Sequence, residues 1–496
     1  MYKNLKLFFN HIGNMISEFP VFYRIKQYFE KHKKLKTILN YLYTFLIFFL
    51  ICLPVIILNS SMNFPLLYDE VQFFVPTIYS NRFMSFSYNV GRDARFLPFQ
   101  MLDYNLVLLF PDSFSKFHLV HQFLNLKFIL FIFCLYYCSK YVCKLCKVKF
   151  SKSVFFCFTF PCIISSLYLF YEPVFAECTI AILFLIFMVT YLKAKIKQSK
   201  SLYIVSFFLV FYITYCKEIA FAIFFPLAFG NLIFNRKKIT KLDKLFYYSI
   251  ILNAVIFFVS YIFVLVYGDY SSVYYNVNKI KSIKEHIEYI EKVFVSNKFM
   301  YVCLMIYLYD IYKVLWKKDE YLDLHLLNLS GCVYMICFLL LTMNLVSYFY
   351  LCVFISIPTI CLIAKKIKYK NIVYILLCLL IFQSIKLCNT AVRFFRGALV
   401  DEKEFYYDII KLNKSKNLCC DINSRDVSYV LSYINNLWKD VTPKYGMISP
   451  LKIDKEKCEI YLKKEMNVPD YVSKFYIYLD GGILYFETAE QFKSYR

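Results

Sequence analysis

Charge-poor apolar runs recur through most of this chain, and short lysine-rich stretches separate them. Read as helices, the runs cover 38–59, 121–139, 153–170, 174–192, 202–216, 219–234, 245–267, 299–312, 325–345, 348–364 and 371–388. Many approach the roughly 20 apolar residues that a helix needs to cross a bilayer. Lys140, Lys144, Lys147, Lys149 and Lys152 separate the second and third runs, and Lys193, Lys195, Lys197 and Lys200 the fourth and fifth. Arg236, Lys237, Lys238, Lys241 and Lys244 follow the sixth, Lys313, Lys317 and Lys318 the eighth, and Lys365, Lys366, Lys368 and Lys370 the tenth. Every cluster falls on the side of the basic N-terminus, an agreement that one missed or invented span would break. Cytoplasmic loops carry the excess of Lys and Arg, so the pattern predicts an N-terminus in the cytoplasm and a C-terminus outside. The expected fold class is a polytopic α-helical membrane protein with about 11 spans, N-in/C-out.

Residues 1–37 read as a cytoplasmic segment. Val21–Leu35 has the pattern of an amphipathic helix on the membrane surface, with Lys31, Lys33 and Lys34 toward anionic lipid; a solvated basic tail is the alternative. No small-residue cleavage site follows the first apolar run, so no cleavable signal peptide is read. Residues 38–389 form the expected transmembrane domain, and three stretches are left outside the cytoplasm. The first is the long loop 60–120. The second, 268–298, has helical spacing around Ile280–Val293, and its Lys281, Lys284 and Lys292 are offset by Glu285, Glu288 and Glu291. The third, 390–496, reads as a small α+β extracytoplasmic domain. Lys403–Leu412 and Val427–Trp438 are its expected helices. Phe475–Leu479 and Ile483–Phe486 are its expected hairpin, because Asp480-Gly481-Gly482 is a strong turn signal.

Composition sharpens this reading. The 496 residues are 60% hydrophobic, which no soluble fold could bury, and the mean hydropathy is +0.52. The net charge of +24 sits in the loop clusters and in no soluble basic module, so nucleic acid is not an expected partner. Abundant Lys, Phe, Tyr, Ile and Asn also resemble the coding bias of an AT-rich genome. Most of the 19 cysteines lie inside the apolar runs, where Cys behaves as a small hydrophobe. Cys143-Lys144-Leu145-Cys146 has metal-ligand spacing with Cys138 nearby, but no second such pair or His pair completes a zinc site. Cys419, Cys420 and Cys458 fall in the C-terminal domain.

Ionisable residues at or in a membrane are functional candidates by default. Here they gather near the expected outer face. Tyr68-Asp69-Glu70 follows the first span, and Arg82, Arg92, Asp93 and Arg95 share its loop. Glu172 and Glu177 flank the turn between the third and fourth runs, and Lys217-Glu218 interrupts the fifth and sixth. Two adjacent carboxylates raise each other's pKa, which makes Asp69 and Glu70 candidates for chemistry or metal binding. Plainer roles exist for each. Asp69-Glu70 and Glu172 suit helix N-termini, Arg92 and Arg95 suit interfacial anchors, and Lys217 and Glu218 suit a mutual pair. Within the spans the chain is nearly free of charge, Lys127 being an exception.

The first external loop opening on Tyr68-Asp69-Glu70, the segment Gly91-Arg92-Asp93-Ala94-Arg95-Phe96-Leu97-Pro98 and the later Lys217-Glu218 together resemble the GT-C superfamily of integral-membrane glycosyltransferases, which includes bacterial O-antigen glucosyltransferases and family-39-like enzymes. The resemblance implies transfer of a sugar from a polyprenyl-phosphate-linked donor to a glycan, lipid or protein acceptor of the envelope, on the outer face of the cytoplasmic (inner) membrane. Asp69 is then the catalytic base, with Glu70 orienting it or helping to hold a divalent cation such as Mg or Mn. The charge logic agrees. The leaving phosphate gains negative charge as its bond breaks, and Arg92, Arg95 and Lys217 are placed to stabilise it. Asp93, Glu172, Glu177, Glu218 and Arg82 support them. The Asp-Ala between Arg92 and Arg95 leaves two matches for the family's Arg, and the C-terminal domain shows no family motif.

Three other classes remain open, one of them a non-catalytic assembly or scaffold protein, which would need no convergent carboxylate and arginines. A glycan polymerase of the O-antigen type also acts on lipid-linked sugars, but more typically carries its Arg-rich loop late in the chain. A flippase or transporter predicts internal repeats and midplane charges in several spans.

Overall fold

The computed structural model describes residues 33–60, 98–100, 102–110, 116–167, 170, 176–267, 283–296, 299–317, 321–341 and 349–366, five isolated residues between 382 and 408, and four strands between 418 and 488. The described helices are α1 Lys33–Ser60, α2 Lys116–Leu145, α3 Lys152–Ser165, α4 Glu177–Lys197, α5 Lys200–Thr214 and α6 Phe225–Phe234. They continue as α7 Lys241–Tyr267, α8 Ile283–Ser296, α9 Phe299–Tyr312, α10 Leu322–Leu341 and α11 Tyr350–Lys366. Short 3-10 turns at Leu102–Leu109 and Ala220–Phe224 precede α2 and α6.

Six helical stretches, Thr37–Ser60, His118–Leu145, Glu177–Lys197, Lys241–Val264, Phe299–Trp316 and Leu322–Leu340, are long and apolar enough to cross a membrane. The fold is that of a polytopic helical membrane protein. Ten of the eleven apolar runs coincide with described helices, and all of 371–388 except Phe382 and Ile385 lies outside the described residues. Four runs yield shorter apolar helices: Lys152–Ser165, Lys200–Thr214, Ala220–Phe234 and Tyr350–Ala364.

Side-chain contacts fix the direction of each helix. Lys152 at the start of α3 donates to Asn40 near the start of α1, while Asn59 at the end of α1 donates to Asn125 in α2 and to the Phe170 carbonyl beyond α3. Lys195 at the end of α4 meets Asp323 at the start of α10, and Glu177 at the start of α4 meets Lys217 beyond α5. Cys361 late in α11 lies beside Cys143 late in α2. Successive core helices therefore alternate in direction. One end gathers the described lysine clusters at 140–152, 193–200 and 236–244, and the other gathers Asn59, Glu177 and Lys217.

α4 and α11 form the packed centre. α11 is apolar on every side and lies against α2, α3, α4, α9 and α10, and a helix apolar all round belongs in a core. α7 keeps only 28% of its apolar window inside the protein and presents the rest outward. Gly331 lets α10 approach α9 and α11. A Cβ there would stand 2.5 Å from the Tyr307 hydroxyl and 3.2 Å from the Cys352 carbonyl. Tyr307 donates to that carbonyl at 3.0 Å and accepts from Ser356 at 3.0 Å. Gly331→Ala is therefore expected to lower stability by about 1–3 kcal/mol through overpacking, read as a lower thermal midpoint in detergent.

In the C-terminal region four strands, β1 Leu418–Cys420, β2 Ile460–Glu465, β3 Phe475–Ile477 and β4 Ile483–Thr488, form one sheet in the order β1-β2-β4-β3. β1 pairs parallel to β2, and β4 pairs antiparallel to both β2 and β3. Phe475 pairs with Tyr485 and Ile477 with Ile483, so β3 ends two residues before the expected Leu479 and five residues, 478–482, connect the two strands instead of the expected three. The helix expected over Val427–Trp438 lies outside the described residues, as do residues 21–32 of the N-terminal segment.

Candidate functional site

The break between α5 and α6 begins the site. Residues 202–234 are apolar except around Lys217-Glu218, and the chain leaves helical geometry there, resuming as the 3-10 turn Ala220–Phe224. The freed backbone is satisfied locally: the Cys216 amide donates to the Ile213 carbonyl at 3.1 Å and the Ala220 amide to the Lys217 carbonyl at 2.9 Å. The interruption places the Lys217 ammonium, with only 8% of the residue exposed, inside the protein.

Its counter-charge comes from the start of α4. Lys217 Nζ donates to Glu177 Oε1, and the Tyr334 hydroxyl of α10 donates to the same oxygen at 3.3 Å. The Phe338 ring, one turn further along α10, lies 5.3 Å from the Lys217 ammonium. Glu177 is 1% exposed, and its Oε2 has no hydrogen-bond partner among the described residues. A carboxylate in the first turn of a helix also faces the positive end of its dipole. The expected nearness of Glu177 and Lys217 is thus observed, as a direct ion pair.

A second, partly buried pair meets the same first turn of α4. Thr179 of α4 donates to Asp103 Oδ2 at 3.2 Å, and Lys127 of α2 meets that oxygen at 2.7 Å. The Lys127 ammonium stands 4.4 Å from the centre of the Tyr104 ring. Sequence reasoning singled out Lys127 only as an exception and passed over Asp103, Thr179 and Tyr334. The available signal was Lys127 itself, because an ammonium on an apolar helix face requires a nearby anion.

Asp69, Glu70, Arg82, Arg92, Asp93, Arg95 and Glu172 lie outside the described residues. Both described flanks of 61–97 are nevertheless at this end. Asn59 bonds to Asn125, two residues from Lys127, and Phe99 stacks at 4.8 Å on Tyr212, with the Tyr212 hydroxyl donating to its carbonyl at 3.5 Å. Glu218 is half-buried beside Lys217.

The expectation that spans carry almost no charge needs correction. Asp310 lies inside α9, fully buried, where Oδ1 meets His325 Nδ1 of α10 at 2.6 Å and Oδ2 accepts from Asn328 at 2.5 Å. A lone carboxylate in a fourteen-residue apolar helix reads as an end residue until its partners, fifteen and eighteen positions away, are brought alongside. Also at the lysine-rich end, Asp323 Oδ1 accepts from Lys195 at 2.6 Å, Tyr191 at 2.8 Å and Asn231 at 2.8 Å, joining α4, α6 and α10.

Among the described residues no group of three His, Cys, Asp or Glu side chains is arranged to hold a metal ion, and the described cysteines, Cys143 and Cys146 included, are free thiols. Neither a protein-family model nor a curated protein sequence matches the chain.

Chemically, the site end holds two ammonium groups away from bulk water, and among the described residues each meets a carboxylate, Glu177 for Lys217 and Asp103 for Lys127. An anion that reached either ammonium would compete with that carboxylate for it.

Proposed function

We propose that the protein is a membrane glycosyltransferase of the GT-C type, moving a sugar from a polyprenyl-phosphate-linked donor to a glycan, lipid or protein acceptor on the outer face of the cytoplasmic membrane. The observation that carries this reading is the convergence of the Glu177–Lys217 and Asp103–Lys127 pairs on the end where both flanks of the 61–97 loop are held. That loop carries Asp69, Glu70, Arg92 and Arg95.

On this reading the donor phosphate displaces the Glu177 carboxylate from Lys217 and gains charge-assisted bonds from Arg92 or Arg95. The acceptor hydroxyl oxygen attacks the anomeric carbon and its proton passes to Asp69. The bond from that carbon to the phosphate oxygen breaks and its electron pair stays on the phosphate, where the cations stabilise it. The transition state is oxocarbenium-like, as in glycoside hydrolysis. Asp69 and Glu70 are also the expected ligands of a divalent cation. EDTA treatment followed by Mg2+ or Mn2+ reads that dependence.

The test is transfer of labelled sugar from synthetic polyprenyl-phosphate donors by purified protein in nanodiscs. Arg92→Ala or Arg95→Ala is expected to raise the KM for donor about tenfold or more, the loss of one charge-assisted contact. If neither change affects donor use, the phosphate assignment fails.

The Asp310–His325–Asn328 cluster favours a second reading, a proton-linked flippase or transporter, because buried ionisable pairs in spans mark proton relays. Asp310→Asn separates the two. It leaves sugar transfer by solubilised enzyme intact on the first reading and stops movement of lipid-linked substrate across vesicles on the second.

A further inference from the structure

The fourteen residues of α8 carry two different faces. Ile283, Ile287, Ile290 and Phe294 recur at helical spacing on one stripe, while Glu285, Glu288 and Lys292 occupy the opposite side. The two halves of the stripe are treated differently. Phe294 is buried, and Ile290 is partly so, against the rest of the protein. Ile283 and Ile287 are 82% and 60% exposed. A water-facing loop helix would not keep two isoleucines in solvent on the side away from its own charges.

The connections of α8 say where it lies. α7 runs toward the site end, since its Asn253 donates to Thr214 at 3.1 Å near the end of α5 and its Phe257 packs on Tyr215. α9 begins at that same end, because Met300 contacts Cys352 in the first turn of α11 and Asp310 meets His325 at the other end. α8 is therefore held between two membrane-length helices at the end bearing Glu177 and Lys217. Its apolar stripe is also continuous with a lipid-facing surface: Phe294 packs edge-on at 5.1 Å against Tyr301, which belongs to the outward belt of α9 together with Met305 and Leu308.

We infer that α8 lies in the plane of the bilayer surface on the site side, with Ile283 and Ile287 sunk into the boundary between lipid headgroups and acyl chains. Helices of this kind sit about 5–10 Å into that boundary. Two lysines, Lys284 and Lys292, against three glutamates, Glu285, Glu288 and Glu291, leave no basic excess. Insertion thus depends on apolar burial rather than on anionic lipid, and phosphatidylcholine suffices. This inference is independent of the transferase reading.

The experiment places one tryptophan by Ile287→Trp, or in a second protein by Glu288→Trp, in a Trp316→Phe, Trp438→Phe background. Each protein is reconstituted in phosphatidylcholine nanodiscs, with lipid brominated near the top of the acyl chain as one quencher and aqueous acrylamide as the other. The Ile287→Trp signal is expected to be quenched several-fold more by brominated lipid than the Glu288→Trp signal, and the order to reverse with acrylamide. Ile283→Trp replaces Ile287→Trp if the latter does not purify as a monodisperse protein. Equal acrylamide quenching at both positions without a lipid effect would place the helix in water. Shielding of position 287 from both quenchers would mean that protein covers the stripe. Either result overturns the inference.

Discussion

On the transferase reading, Asp69→Asn is expected to remove sugar transfer while leaving the protein folded and abundant. The substitution keeps the size of the side chain and its capacity to accept hydrogen bonds, and deletes the basicity that takes up the acceptor proton. General-base catalysis contributes about 10²–10⁴-fold, so kcat is expected to fall by that factor with the donor KM nearly unchanged, the pattern of a group needed only in the transition state. The measurement is single-turnover transfer in nanodiscs, with gel filtration and helical circular dichroism as controls for folding. Near-normal turnover would reject Asp69 as the base. A parallel rise in KM without loss of kcat would instead assign it to donor binding. Because the acid pair opens a loop whose flanks, Asn59 and Phe99, are both held at the site end, the loss is expected to track the donor-dependent step and not membrane insertion.

Glu177→Ala destabilises the protein more than any substitution of the outward belt. It removes the carboxylate that the Lys217 ammonium meets where the residue is 8% exposed, and with it an acceptor of the Tyr334 hydroxyl. Breaking a buried ion pair by deleting one partner costs about 3–5 kcal/mol, because the remaining charge is left uncompensated. The thermal midpoint in detergent is expected to drop sharply. The double change Glu177→Leu with Lys217→Met deletes both charges and is expected to recover most of the stability, since an apolar pair of similar volume is often neutral or better. Transfer separates stability from function: on the transferase reading the double variant is expected to fold yet use donor poorly, because the cation proposed to meet the phosphate is gone. A double variant as unstable as Glu177→Ala would show that the destabilisation does not come from an unpaired charge. A folded double variant with normal donor affinity would remove Lys217 from the binding site. The Asp103–Lys127 pair lies close by, bonded to Thr179 two residues from Glu177, so disrupting both pairs is expected to give an effect that departs from the sum of the two.

The helical membrane architecture was written in the chain. Apolar runs of near-span length and lysine clusters recurring after every second run are local properties, and burial of backbone polar groups in lipid leaves the helix as the only outcome for such runs. The pairing of β3 with β4 was legible for a similar reason, since Asp480-Gly481-Gly482 marks a local turn, but its register was not, because the connection is two residues longer than that turn. Lys217 and Glu177 were also visible singly, as charges where a membrane makes charge costly. Their partnership was not, because the pair is separated by forty positions and forms only when α5 folds back along α4. Asp103 and Lys127 were less legible still, one looking like a loop acid and the other like an isolated anomaly. The same holds for Asp310, whose partners sit on the next helix. The sequence by itself determined which segments form helices apolar enough to cross a membrane, because hydropathy acts residue by residue. Only the tertiary structure decided which charge neutralises which, because a buried ion pair depends on the close approach of groups from different helices, and side-chain packing sets that approach.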